Sequence, residues 1–299
     1  MTLVLTLTSD RLIYKLHPEL VHQVEQLLFS KGANICSNCW LAQGMAVEIN
    51  FDGIPRDLAL ESADLFLERI PVDKNIQKNI NRRKKILLAD MDSTILQIET
   101  LDVIGHAIGK AREIAEITEK AMNGDIDFEA ALKNRVKLLA GVNINQLIEF
   151  VLEKLLITQG ANTLVKTMKA NGATTALVSG GFTVITEIIR EKLNFDLCYG
   201  NTLSVDSSIV TGNLKPPIID GDAKAAILDQ ECEKLEISKN DTLAVGDGAN
   251  DIPMLTNAGL GVAFRPKPVV KNYASNIIEH CDLRGILFLQ GFSESEFLT

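Results

Sequence analysis

The 299-residue sequence predicts an α/β protein, a doubly wound parallel sheet carrying a small helical-bundle insertion and preceded by a separate α+β segment. Three observations predict it. From residue 86 onward, short apolar runs alternate with amphipathic helical stretches, which is the rhythm of βαβ units. Residues 97–160 interrupt that rhythm and contain almost no strand candidate. Residues 1–80 have a strand-and-helix pattern of their own.

Taken in order, LVLTLT (residues 3–8) alternates as a strand does. After His17-Pro18, ELVHQVEQLLFSKG has helical periodicity and stops at Gly32. NICSNCWLAQGMAVEINFDG reads as two strands about Gly44, and PRDLALESADLFLERI as a second amphipathic helix. Pro71 and the polar stretch VDKNIQKNINRRKK then read as a linker. The expected division is residues 1–80 and 81–299, with the helical insertion at about 97–160 between the first two strands of the larger sheet. Further strands are expected at ILLAD, TTALVS, DLCYGNTLSV, TLAVGD, GLGVAF and NIIEH. FTVITEIIREKL, KAAILDQECEKL and ANDIPMLTNA are the helices between them.

Composition narrows the function. The chain is 46% apolar and 23% charged, an ordinary globular balance. A formal charge of −9 argues against nucleic-acid and anionic-membrane partners, which require positive surface. Arg82-Arg83-Lys84-Lys85 is the local exception and reads as a solvated linker entering a strand. No run of about 20 residues is free of charge, so no membrane-spanning helix is expected. The start, MTLVLTLTSDRLIYK, lacks a basic region and a cleavage site, so no signal peptide is expected. Five cysteines, an odd number, fit a reducing cytoplasm better than a disulfide framework. Cys36 and Cys39 form a CxxC without a second ligand pair, on a segment that reads as a strand, and are expected to be structural.

The chemistry should lie beyond the carboxyl ends of the strands, where open parallel sheets bind ligands. Asp90 and Asp92 follow ILLA, Ser179-Gly180-Gly181 follows TTALV, and Gly246-Asp247-Gly248 follows TLAV. Carboxylates gathered there would repel one another unless a cation intervened, and an oxygen-only donor set suits Mg²⁺. Ser179 and the following glycines, read as opening a helix, make a phosphate seat, and Lys224 adds a positive charge. Metal, phosphate seat and lysine together are the equipment of phosphoryl transfer. One aspartate can attack phosphorus, and a second two residues later can move the proton. Two rivals fail on the same residues. A calcium loop starting at Asp90 would put Ile95 where glycine is needed and Leu101 where a bidentate glutamate is needed. A dinucleotide fingerprint at Gly246 would have Asp251 in its third glycine position.

DMDST (90–94), Ser179-Gly180, Lys224 and GDGAND (246–251) resemble the four motifs of the haloacid dehalogenase superfamily of aspartyl-phosphate phosphatases and, within it, its phosphoserine phosphatases. The resemblance covers about residues 86–290. It implies a HAD-like Rossmannoid core, with Asp90 as nucleophile and Asp92 as general acid/base. It implies Mg²⁺ held by Asp90, the main-chain carbonyl of Asp92 and Asp247. Ser179, Gly180 and Lys224 would bind phosphate, and Asn250 and Asp251 would support metal and substrate. The insertion resembles the family's cap, in which Glu99 would read the ammonium of O-phospho-L-serine while Phe128 and Arg135 close over it and grip its carboxylate. His106 matches no role and is expected to be structural. Residues 1–80 resemble an ACT-like βαββαβ domain, which implies regulation by serine. The resemblance leaves room for a homodimer.

Overall fold

The computed structural model describes residues 2–122 and 125–299. Its first lobe contains β1 (Leu3–Thr8), α1 (Pro18–Ser30), β2 (Asn34–Ala42), β3 (Ala46–Asp52), α2 (Arg56–Leu67) and β4 (Asp73–Lys78). The strands pair antiparallel in the order β2-β3-β1-β4, a β-α-β-β-α-β unit. Strand alternation directs Leu5, Leu7, Val47, Ile49, Phe51 and Ile76 to one face, where they pack on Leu20, Val24 and Leu28 of α1 and Leu67 of α2. α1 starts where it does because Pro18 has no N–H to satisfy and the His17 ring accepts from Leu20 N.

The second lobe follows: β5 (Ile86–Ala89), α3 (Thr100–Ala107), α4 (Ala111–Met122), α5 (Phe128–Lys137), α6 (Ile144–Lys154), α7 (Ala161–Ala170), β6 (Thr174–Phe182) and α8 (Thr183–Leu193). It continues with β7 (Leu197–Asp206), β8 (Ile209–Lys215), α9 (Gly221–Leu235), β9 (Thr242–Gly246), α10 (Ile252–Asn257), β10 (Leu260–Phe264), β11 (Asn276–Ile278) and α11 (Gly285–Leu289). The sheet order is β11-β10-β9-β5-β6-β7-β8. Its strands are apolar on both faces: Leu87, Leu177 and Val245 enter one core, while Ile86, Leu88, Ala176 and Ala244 enter the other. From β5 the chain builds outward through β6 and β7, then returns to β9 on the other side. The crevice beyond β5 and β9 is therefore the switch point. Helices α3 to α6 leave the sheet just after β5, and an antiparallel bridge between Leu96 and Ile157 closes their base.

Several expectations need correction. The sheet is parallel only as far as β7, because β8 returns antiparallel through Ser207-Ser208, both at positive φ. A two-residue hairpin turn of that kind is usually marked by Asn-Gly or Asp-Gly, and here the mark is absent. Ser179-Gly180-Gly181 ends β6 and does not open a helix, since α8 begins at Thr183. Cys36 and Cys39 lie exposed on β2, whose residues have little cover on either face, and His106 is exposed on α3.

The supposed linker contains β4, which reads as polar because its second face meets the other lobe with hydrogen-bonding groups. Asp73 accepts from the backbone N–H of Glu279 (2.8 Å), His280 (3.0 Å) and Cys281 (2.8 Å). Asn75 donates to Ile277 O (2.9 Å) and accepts from Ile277 N (2.8 Å), imitating a strand backbone. The basic run is not a solvated linker either. Arg82 pairs with Glu48 and donates to Leu289 O, Arg83 stacks on Phe292, and Lys85 pairs with Asp241.

Asp73→Ala would leave three backbone donors at a buried seam without an acceptor. Each such group costs about 1–3 kcal/mol, so we expect a loss of at least about 3 kcal/mol. Chemical denaturation, with the midpoint compared at equal slope, measures it.

Candidate active site

The site begins at the end of β5. Asp90 and Asp92 are both in extended conformation on either side of Met91, whose helical backbone breaks the strand between them, so the two side chains find different partners. Ser93, at φ +56°, then turns the chain back, and Leu96 N donates to Met91 O (2.8 Å). The bend brings the Thr94 hydroxyl to Asp247 Oδ1 (3.2 Å), tying the loop after β5 to the loop after β9.

Lys224 rises from the first turn of α9, which is capped by the Asp220 carboxylate accepting from Ala223 N (2.8 Å). Its buried ammonium donates to Asp90 Oδ1 and to Asp251 Oδ1 (2.7 Å). Asp251 uses its other oxygen to accept from Asp247 N (3.1 Å) and Gly248 N (2.9 Å). A Cβ at Gly246 would lie 2.6 Å from Asp251 Cβ, so glycine is required there for this close approach.

Asp90, Asp247 and Asp251 each bring a carboxylate oxygen within 4.8 Å of the others, and all three are buried. Burial pushes the Asp90 carboxyl well up, and the negative charges of Asp251, Asp247 and Asp92 add to it against Lys224. Burial likewise raises Asp247 to about 6, with Asp251 and Glu99 adding to the shift and Lys267 opposing it. For Lys224 the balance reverses: burial alone would lower it, but Asp251 and Asp90 outweigh burial and hold it above its ordinary range. A buried, oxygen-only cluster whose charges repel fits a hard divalent cation. The carboxylates of Asp90 and Asp247 have the most capacity to bind one, because both oxygens of Asp251 already accept hydrogen bonds.

Asp92 stands outside that cluster. Its carboxylate accepts from Thr100 N (2.8 Å) at the start of α3 and from the Ser179 hydroxyl (3.3 Å). Burial raises it to about 6, and the charge of Glu99 adds to the shift. Ser179 Oγ also accepts from Gly181 N (2.8 Å), which folds the end of β6 around the hydroxyl. A Cβ at Gly180 would come 3.2 Å from Phe128 Cζ, so the Phe128 ring lies over this turn. Glu99, just before α3, accepts from Ser93 Oγ (2.9 Å) and Lys267 Nζ (3.1 Å). Asn250 lies between Gly248 and the start of α9. Arg135 is partly buried on α5, bonded through Nε to Ala131 O (3.4 Å), and its charge interacts with Asp102 and Glu99.

The expected residues of the sheet edge, together with Glu99 and Phe128, are thus brought to one crevice. Arg135 is linked to it through the charges of Glu99 and Asp102. Three contributors had no role assigned from the sequence. Thr94 lies inside DMDST itself. Asn201, fully buried on β7, donates to Gly180 O (2.9 Å) and accepts from Ile219 N (2.8 Å), joining the Ser179 turn to the segment leading into α9. A lone asparagine within a strand was its signal. Lys267 had none, being a single lysine between two prolines.

Residues 87–256 match the family described as haloacid dehalogenase-like hydrolase. The chain belongs to the haloacid dehalogenase-like hydrolases. Among curated proteins, it is 38% identical over 244 residues to a Schizosaccharomyces pombe protein named "Probable phosphoserine phosphatase", covering 79% of this chain and 82% of that one. It is also 38% identical over 221 residues to the phosphoserine phosphatase of Archaeoglobus fulgidus, covering 73% of this chain but 64% of that longer protein. A solved structure of a "probable phosphoserine phosphatase" from Vibrio cholerae superposes with a TM-score of 0.79 at 28% identity, covering 99% of this chain and 88% of that one. The resemblance of this hydrolase to that structure therefore extends through the first lobe. Among the described residues, no helix is long and apolar enough to cross a membrane.

The buried carboxylates of the crevice set a pH signature. Asp92 and Asp247 rise from 3.8 to about 6 on folding, so each contributes stability that is fully present below about pH 4 and lost as the pH rises through 6. A divalent cation relieves the repulsion only where the carboxylates are ionised. We expect its addition to change Tm little near pH 4 and progressively more through pH 6, as read by thermal melts with cation or EDTA.

Proposed function

We propose that this protein is a Mg²⁺-dependent phosphatase that hydrolyses O-phospho-L-serine to L-serine and phosphate, the last step of serine biosynthesis. The observation that carries the reading is one crevice holding Asp90, Lys224 and Asp247 on one side and Asp92 with Ser179 on the other, with Glu99 at its margin. Relatives named phosphoserine phosphatase support the choice of substrate.

In this reading Asp90 is the nucleophile. Lys224 holds one of its oxygens, leaving the other to attack phosphorus and form an aspartyl-phosphate. Asp92, raised to about 6, retains a protonated fraction near neutrality and protonates the departing serine oxygen. The same carboxylate then takes a proton from the water that releases phosphate. The Ser179 hydroxyl, Gly180 and the Lys224 ammonium receive the phosphoryl oxygens, and Asn250 and Asp251 support them. When bound by Asp90, Asp247 and the Asp92 main-chain carbonyl, Mg²⁺ supplies positive charge against the phosphoryl oxygens and lowers the repulsion among the aspartates. Helices α3 to α6 act as the cap, where Glu99 accepts from the substrate ammonium, Arg135 grips its carboxylate and Phe128 closes over the phosphate seat. We read residues 1–80 as an ACT-like domain on the catalytic unit 81–299, and the cap as residues 97–160. Five free thiols, two of them exposed, suit a reducing compartment, and we assign the protein to the cytoplasm.

The deciding experiment measures phosphate release from both enantiomers of phosphoserine, from phosphothreonine and from sugar phosphates, with Mg²⁺ and with EDTA. We expect strong release from phospho-L-serine that EDTA abolishes; release only from other esters would overturn the substrate reading. Asp90→Asn should reduce turnover by at least about a thousandfold while Tm is retained. Arg135→Ala should raise KM for phosphoserine about tenfold to a hundredfold, with little effect on a phosphomonoester that lacks a carboxylate.

A further inference from the structure

We propose that Lys267 is a positioning residue for substrate recognition: with Ser93 it binds one carboxylate oxygen of Glu99 and so aims the other at the ammonium group of the substrate. This rests on the reading of Glu99 as the ammonium acceptor.

Lys267 Nζ lies 3.1 Å from Glu99 Oε1, and Ser93 Oγ donates to that same oxygen at 2.9 Å. Two donors from different loops converge on Oε1, and among the described residues Oε2 receives none. A carboxylate held by one oxygen has a defined rotamer and a free, directed acceptor, which is what recognition of a small cation needs. The lysine also lies 3.6 Å from Asp247 Oδ2, so it spans from the root of α3 to the loop after β9.

The main chain of Lys267 is itself placed. Its N–H donates to Asp247 O (2.9 Å), Arg265 N donates to Ile278 O (2.7 Å), and Pro266 and Pro268 restrict the backbone on both sides. The side chain is 51% exposed, so its charge keeps much of its hydration while its end reaches into the crevice. A cation is needed there on electrostatic grounds. Asp92, Asp102 and Asp247 all feel the negative charge of Glu99, and Arg135 is a second cation that interacts with it. Converging donors on Oε1 leave Oε2 open to a further donor, which orientation of Glu99 requires.

The test compares kcat/KM for O-phospho-L-serine and for 3-phosphoglycerate, which keeps the phosphate and carboxylate but has a hydroxyl in place of the ammonium. The full-length wild type, Lys267→Met, Lys267→Arg, Glu99→Gln and the Lys267→Met/Glu99→Gln double variant are measured, each with its Tm. We expect Lys267→Met to lower the phosphoserine preference about tenfold, mainly through KM, and Lys267→Arg to restore most of it. In the Glu99→Gln background, Lys267→Met should no longer change the ratio, because its effect passes through Glu99. An unchanged ratio in Lys267→Met at wild-type Tm would overturn the proposal. So would a ratio that rises, which would make the lysine a competitor of the ammonium, or a loss that persists without Glu99. A wild type that does not prefer phosphoserine would instead remove the reading of Glu99, and the role of Lys267 with it.

Discussion

Lys224 carries its ammonium into a place where water does not solvate it, between the carboxylates of Asp90 and Asp251. Withdrawing ions from water costs several kcal/mol each, and the arrangement is tolerable only if the remaining oxygens and hydrogens also find partners. Much of the local architecture supplies them. The second oxygen of Asp251 is satisfied by the backbone of Asp247 and Gly248, which requires a glycine at 246. Lys224 arrives from the first turn of α9, whose direction is set by the Asp220 cap and, just upstream, by Asn201 holding Ile219. Removing Lys224 would leave two buried carboxylates without their shared cation.

That arrangement needs β5 and β9 to be neighbours, and the sheet makes them so. Strands apolar on both faces can be buried only between helical layers, and the reversal of strand order at β5 opens a crevice at their carboxyl ends. The helices that leave immediately after β5 start at the crevice rim, so Glu99 and Phe128 reach it without a long loop. The site and the inserted helices thus share one short segment, residues 90–100, in which Asp92 binds the first turn of α3 and Thr94 binds Asp247.

The first lobe is joined to the second by a polar seam. Asp73, Asn75, Gln77 and Arg82 satisfy backbone groups of residues 277–289, while Ala42, Met45 and Ala46 enter the apolar core of the second lobe. One sheet face packs on α1 and α2, and the other carries buried Thr6, Glu48 and Asn75 against the hydrolase lobe. This seam ends in the segment that begins at Arg265 and Lys267, so the backbone beside the crevice is continuous with the backbone the first lobe clasps.

What the sequence determined by itself was the layered α/β core and the chemistry at its edge. Burial on both faces imposes continuous apolar runs, and aspartates and glycines at strand ends, with a lysine at a helix start, are local patterns that survive in one dimension. Only the tertiary structure decided the rest. β4 was hidden because its residues answer to distant hydrogen-bond donors, as with Asn75 and Ile277, 202 positions apart. β8 was hidden because its turn uses serines, and the role of Lys267 because its partner Glu99 is 168 residues distant. Polar groups that pair across such separations leave no periodicity in the chain, since their partners are brought near only by the packing of the apolar core.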